Sequence, residues 1–214
     1  MTKPDISPLH QRLAERIRDN GPITFAEFME AALYDPAGGF YARPPVGEDG
    51  HFVTSPHVSP AFGDLVARQV AECWDLLGRP HPFGVVELGA GDGTLARQVE
   101  DASRSVPELD AALRVTCIER TAGQAEVLRQ RGMTVAGSPS EAAPVHVLVA
   151  NEVLDNVPFH RLRERDGAVV EVRVGVDGDG LAEVETEPGP DAVAALDRPL
   201  RPGEERPVSP AALA

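Results

Sequence analysis

Glu87, Gly89, Gly91 and Gly93 are spaced as E-x-G-x-G-x-G, with Ala90 and Asp92 between the glycines. An apolar run over 83–88 precedes them and a helical pattern over 94–101 follows, the setting in which a glycine-rich turn can hold a cofactor. Glycine lets the backbone approach a ligand closely and adopt conformations closed to other residues. A dinucleotide fingerprint, G-x-G-x-x-G, would need glycine at position 94, where Thr94 stands. A carboxylate at Glu87 suits a ligand carrying an ammonium group, such as the methionine part of S-adenosylmethionine (SAM), and would repel a pyrophosphate. SAM site, dinucleotide site and plain tight turn are the three readings, and the spacing favours the first.

Glu119 ends a second apolar run. Strand ends at this edge of a doubly wound sheet face the ligand crevice, where a carboxylate can accept hydrogen bonds from both ribose hydroxyls. Asn151, Glu152 and Asp155 follow a strongly apolar run over 145–150. In a SAM-binding domain of the parallel-sheet class this position lies beside the transferable methyl, so Asn151 reads as a cofactor contact. Glu152 and Asp155 read as catalytic carboxylates that pin a guanidinium through charge-assisted bonds and aim its nitrogen. The bland alternative is a helix start decorated with acids. His51, His57 and His160 have no HxxH or HExxH spacing and read as surface or loop residues, so no metal site is expected. No G-x-S-x-G nucleophile elbow occurs.

The elements that must carry these residues alternate. Helical spacing predicts helices over 9–19, from the Thr24–Glu27 capping box to Asp35, and from Ser59 to Gly78. A long Gly/Pro-rich loop over 35–57 separates the last two. Strands over 83–88, 115–119, 133–136 and 145–150, with helices over 94–101 and 122–131, imply parallel pairing with right-handed crossovers. Beyond Pro158 the pattern turns to two hairpins over 159–187, with turn signals at Asp166-Gly167 and Asp177–Gly180. The expected fold is an α/β, Rossmann-like parallel sheet, incomplete, with an N-terminal helical extension and an antiparallel β-hairpin appendage. Its expected parts are a helical cover segment over 1–80, a SAM-binding core over 81–158, the appendage over 159–187 and a flexible tail over 188–214.

The net charge of −14, from 34 acidic and 20 basic residues, argues against nucleic acid and anionic membrane partners and favours a cationic substrate. Cys73 and Cys117 sit in apolar periodic segments and read as buried reduced thiols. With no signal-peptide run and no span of transmembrane length, the sequence reads as a cytoplasmic protein.

Four separated segments carry a family resemblance: Gly21 to Met29, Ala32 to Tyr41, Phe52 to Gly63, and the pair Glu87 to Leu95 with Asn151 to Pro158. In their order and spacing the chain resembles the MidA-like SAM-dependent methyltransferases, whose mitochondrial members are arginine methyltransferases acting in respiratory complex I assembly. The resemblance implies a class I methyltransferase domain, a protein substrate bearing arginine, in one version a respiratory complex subunit, and SAM as cofactor. It also implies that the loop over 35–57 covers the active site, with Thr54, Ser55 and Pro56 beside the cofactor. The family usually has glutamate at the place of His57 and glutamine at that of Pro60. A class I sheet has seven strands and four are legible here, so the chain reads as a C-terminally truncated member. Its fourth strand would keep an unpaired apolar edge that invites self-association. A non-catalytic assembly protein retaining a remnant SAM fold is the alternative, and a nucleotide-binding oxidoreductase the third.

Overall fold

Local signals start each early element. The Ser7 side chain accepts a hydrogen bond from the His10 N–H and opens helix α1 (Pro8–Asn20). Strand β1 (Ile23–Thr24) runs into helix α2 (Phe25–Tyr34) through the expected capping box. The Glu27 N–H donates to the Thr24 hydroxyl at 3.1 Å, and the Thr24 N–H donates to the Glu27 carboxylate at 2.9 Å. The computed structural model describes residues 7–42, 55–142 and 144–210. The chain forms two compact units, one of residues 43–153 and one joining 1–42 to 154–214.

In the unit of residues 43–153, a short helix α3 (Ser55–Val58) precedes α4 (Pro60–Leu76), capped by Ser59. Then come β2 (Phe83–Leu88), α5 (Thr94–Ser103), α6 (Pro107–Ala112), β3 (Leu113–Ile118), α7 (Ala122–Gln130), β4 (Val135–Ala136) and β5 (Val147–Ala150). The four strands are parallel in the order β4-β3-β2-β5. Chain order therefore reverses beside β2, and the crevice such a reversal creates lies beyond the strand ends. Trp74, Phe83, Val85, Leu95, Val99 and Leu128 pack the core between this sheet and α4, α5 and α7. The sequence pattern misses α6, because six residues are too few to display a helical period, although Leu109 and Ala112 are buried.

The unit joining 1–42 to 154–214 is built on β6 (His160–Arg165), β7 (Ala168–Asp177) and β8 (Gly180–Thr186), paired antiparallel as the hairpin signals predict. Asp166 and Gly167 both take positive φ, +53° and +85°, as a two-residue hairpin turn demands. The appendage is larger than the sequence reading, however. β1 pairs with β7, and β9 (Glu205–Val208) pairs with β6 to make five strands. The stretch expected to be a flexible tail instead holds helix α8 (Pro190–Ala194) and β9 within residues 188–210. The reason is burial: Ala192 and Val208 close over Leu162, each too isolated in sequence to show a period. On the opposite face, Leu13 and Ile17 of α1 pack with Ile23, Val174 and Val176.

His160 is a strand residue in this unit, which corrects its reading as a surface or loop histidine. Its Nδ1 lies 2.6 Å from Oε1 of Glu171, a side chain with no exposed surface. Oε2 of Glu171 accepts from Arg173 at 2.8 Å and from the Gly189 N–H at 3.3 Å. Burial would raise this carboxyl, but His160 and Arg173 outweigh it and hold Glu171 below the ordinary glutamate range.

Candidate functional site

The glycine turn leaves β2 at its C-terminal end. Gly89, Gly91 and Gly93 have φ of +61°, +56° and +80°, the left-handed region that glycine enters without steric cost. The three glycines differ in what surrounds them. A Cβ on Gly89 would meet Val153 at 2.7 Å and one on Gly93 would meet Leu128 at 2.8 Å, whereas one on Gly91 would meet nothing within 4 Å among the described residues. Gly89 and Gly93 are thus packing glycines, and Gly91 is open among the described residues. Ala90 between them turns inward and is buried in the core.

Two carboxylates flank the turn as the spacing predicts. Glu119, one residue past β3, accepts the Gly91 N–H on Oε2 at 3.1 Å and the Arg120 N–H on Oε1 at 2.8 Å. Glu87 lies on β2 opposite Cys117 and Val149, only 6% exposed, among Val85, Leu95, Val99 and Val149. Its Oε2 has no hydrogen-bond partner among the described residues. Burial pushes this carboxyl up to about 8; the Ala96 N–H opposes the shift, while the negative charges of Asp92 and Glu119 add to it.

Asp92, a turn residue outside the sequence-derived site, has partners on both sides. Its Oδ1 lies 3.3 Å from Nε2 of His57 and accepts the Thr94 N–H at 3.1 Å, and its Oδ2 lies 3.0 Å from Arg131. Burial would raise its pKa, yet the bonds from Thr94, Arg131 and His57 hold it below the ordinary aspartate range. His57 is accordingly a half-buried partner of the turn rather than a free loop histidine, which corrects its reading. Its spacing could not reveal this, because Asp92 lies far along the chain. His51 and Thr54 lie outside the described residues. Ser55 is exposed at the start of α3; Pro56 is buried, and its carbonyl accepts from Gln98 on α5 at 2.9 Å.

Asn151 is half-buried directly after β5. Glu152 is exposed and takes φ +52°, a left-handed backbone that costs a non-glycine residue about 1–2 kcal/mol. Asp155 belongs to the other unit, in the 3-10 turn Leu154–Asn156, and is exposed. Among the described residues no group of three His, Cys, Asp or Glu side chains could hold a metal ion, and no helix is long and apolar enough to cross a membrane. A broad open groove runs along α2, but its Glu27 and Asp35 are already paired with Arg16 and Arg12.

A family profile described as "Putative S-adenosyl-L-methionine-dependent methyltransferase" matches residues 65–214. The chain is 34% identical to the mitochondrial protein arginine methyltransferase NDUFAF7 homolog of Drosophila melanogaster, over 92% of this chain and 52% of that protein. It is 30% identical to mitochondrial protein arginine methyltransferase NDUFAF7 of Homo sapiens, over 80% of this chain and 46% of that protein. The chain thus spans about half the length of these curated relatives. Among solved structures, a superfamily member from Burkholderia thailandensis bound to S-adenosyl-homocysteine superposes with a TM-score of 0.64 at 26% identity, covering 90% of this chain and 56% of that one. A native structure of a protein of the same superfamily and source gives 0.68 at 25% identity, covering 99% and 60%. The cytoplasmic reading is overturned by the fly and human relatives, which are mitochondrial proteins; bulk composition and charge carry no cellular address. With a profile match over most of its length and the glycine turn at the end of a central parallel strand, the chain belongs to this SAM-dependent methyltransferase family.

Proposed function

We propose that the crevice beyond β2 and β3 binds SAM, and that the protein methylates an arginine side chain of a protein substrate. One observation carries the reading: among the described residues Gly91, its N–H bonded to Glu119, has nothing over its Cα, and Glu87 near the end of β2 has a buried oxygen with no partner. A ligand ammonium would satisfy that oxygen and relieve the cost of burying an unpaired polar atom. Glu119 keeps acceptor capacity for ribose hydroxyls, since a carboxylate has about four acceptor positions. Ala90, Gly89 and Gly93 shape the turn, and Asn151, Ser55 and Pro56 complete the cofactor's surroundings. SAM, when bound, supplies a methyl group on a positively charged sulfur.

The chain's own contribution is binding and orientation. Glu152 holds the guanidinium by charge-assisted bonds, and its negative charge stabilises the extra proton until it is released to solvent. The strained backbone of Glu152 is consistent with a residue placed for function rather than stability. The arginine assignment draws on the names of the fly and human relatives, and the family resemblance points to a respiratory complex subunit as target. Calorimetry with S-adenosyl-homocysteine tests the cofactor half, and a well-folded chain that takes up none would sink it. Incorporation of labelled methyl into arginine rather than lysine peptides tests the substrate half.

A second reading, self-association, is favoured by the edge of β5. That strand pairs with β2 alone among the described residues, and its Leu148 is 49% exposed. Light scattering on a size-exclusion column should report a dimer or larger; a monomer at high concentration would exclude it.

A further inference from the structure

Asp92 stands between Gly91 and Gly93, so the backbone on either side of it has glycine's freedom and needs side-chain contacts to keep one shape. Those contacts come from two remote places. Arg131, the residue after α7, donates from one nitrogen to the Asp92 carbonyl at 2.7 Å and to Oδ2 at 3.0 Å. His57, on α3, places Nε2 at 3.3 Å from Oδ1 and 3.4 Å from the Thr94 hydroxyl. The His57 and Asp92 side chains are 17% and 14% exposed, so their attraction is screened less than that of a surface pair. α3 is itself anchored, since Gln98 donates to the Pro56 carbonyl. Gln98 fits only because Gly63 on α4 has no side chain, for a Cβ there would collide with it.

We infer that His57 is a positioning residue for the cofactor turn: with Arg131 it clamps Asp92 and holds Gly91 to Gly93 in the shape that receives the ligand. This rests on the proposed SAM site. Two readouts on the full chain separate failure of the clamp from failure of that site. The first is hydrogen exchange of the Thr94 amide in ligand-free protein, because that N–H donates to Asp92 Oδ1. The second is affinity for S-adenosyl-homocysteine. His57→Ala should speed Thr94 exchange and weaken affinity by about tenfold each, the size of one lost hydrogen bond to a charged group. His57→Gln, which keeps an N–H donor, should restore both to within about threefold of the original on the same scale. Unchanged exchange in His57→Ala overturns the clamp. A loss in His57→Ala that His57→Gln leaves unrestored also overturns it, assigning His57 to packing instead. If the unaltered chain takes up no S-adenosyl-homocysteine, the proposed site fails, and the exchange measurement still decides the clamp.

Discussion

The N–H of Gly91 donates to Oε2 of Glu119 at 3.1 Å, tying the glycine turn after β2 to the carboxylate just past β3. Parallel pairing sets Leu88 beside Ile118, which brings the two strand ends level. The N–H of Gly89 donates to the Ile118 carbonyl at 2.8 Å, so the turn begins as a continuation of the ladder. Backbone N–H groups of Gly91, Arg120 and Thr121 therefore orient Glu119.

Gly91 and Gly93 should separate ligand binding from stability. Gly91→Ala places a methyl at positive φ where no described residue lies within 4 Å, costing about 1–2 kcal/mol of stability. It should nevertheless weaken S-adenosyl-homocysteine binding by more than about tenfold, because the methyl intrudes where the ligand must approach. Gly91→Arg should abolish binding. Gly93→Ala forces a methyl to 2.8 Å from the fully buried Leu128 and should destabilise by about 2–4 kcal/mol. Thermal unfolding beside calorimetry checks both, and equal stability losses in the two alanine variants would contradict the distinction.

Glu87 makes the ligand-free chain sensitive to rising pH. Its carboxyl titrates at about 8 in the folded chain against 4.5 as the ordinary value, so the folded state binds its proton more tightly. Stability from this group is fully present below pH 4.5 and falls as pH rises towards 8. The loss is on the order of a few kcal/mol for a group this buried. Glu87→Gln should flatten the slope of denaturant stability between pH 5 and 9, and an unchanged slope would assign the effect elsewhere. S-adenosyl-homocysteine binding to the unaltered chain should release protons near neutral pH, seen as buffer-dependent calorimetric heats.

On the proposed reading, Glu152 trades stability for placement. Glu152→Gly relieves a left-handed backbone at φ +52° and should stabilise by about 1 kcal/mol. Glu152→Ala should leave S-adenosyl-homocysteine binding unchanged. Both variants should lose methyl transfer to an arginine peptide wherever the unaltered protein performs it. Full transfer by either one removes Glu152 from the reaction.

Glu171 should govern acid stability of the antiparallel unit. Its folded pKa is depressed, so its contribution is present above the ordinary value of 4.5 and lost as pH falls below that. Glu171→Ala strands Arg173 and His160 without their shared buried partner and should cost about 3–5 kcal/mol. Unfolding curves from pH 7 down to pH 3 check this: the unaltered chain should lose stability faster than Glu171→Ala over the acid range.

By itself the sequence determined what depends on neighbours along the chain. The Thr24–Glu27 cap, the β2 strand, the Asp166-Gly167 turn and the E-x-G-x-G-x-G spacing each act within a few residues, so they were legible without a fold. The family resemblance rests on the same kind of local pattern, and the profile match over 65–214 agrees with it. Tertiary structure decided what depends on residues distant in sequence. His57 and Arg131 reach Asp92 from opposite directions along the chain, and Val208 closes over Leu162 from a segment that looks like a tail. No periodicity records such pairs, since each contributes one residue. Glu87 shows both sides of this division. Its place in the motif was readable, but its burial and its unpaired oxygen arise only when α5 and the neighbouring strands close around it, removing water that the isolated segment would keep.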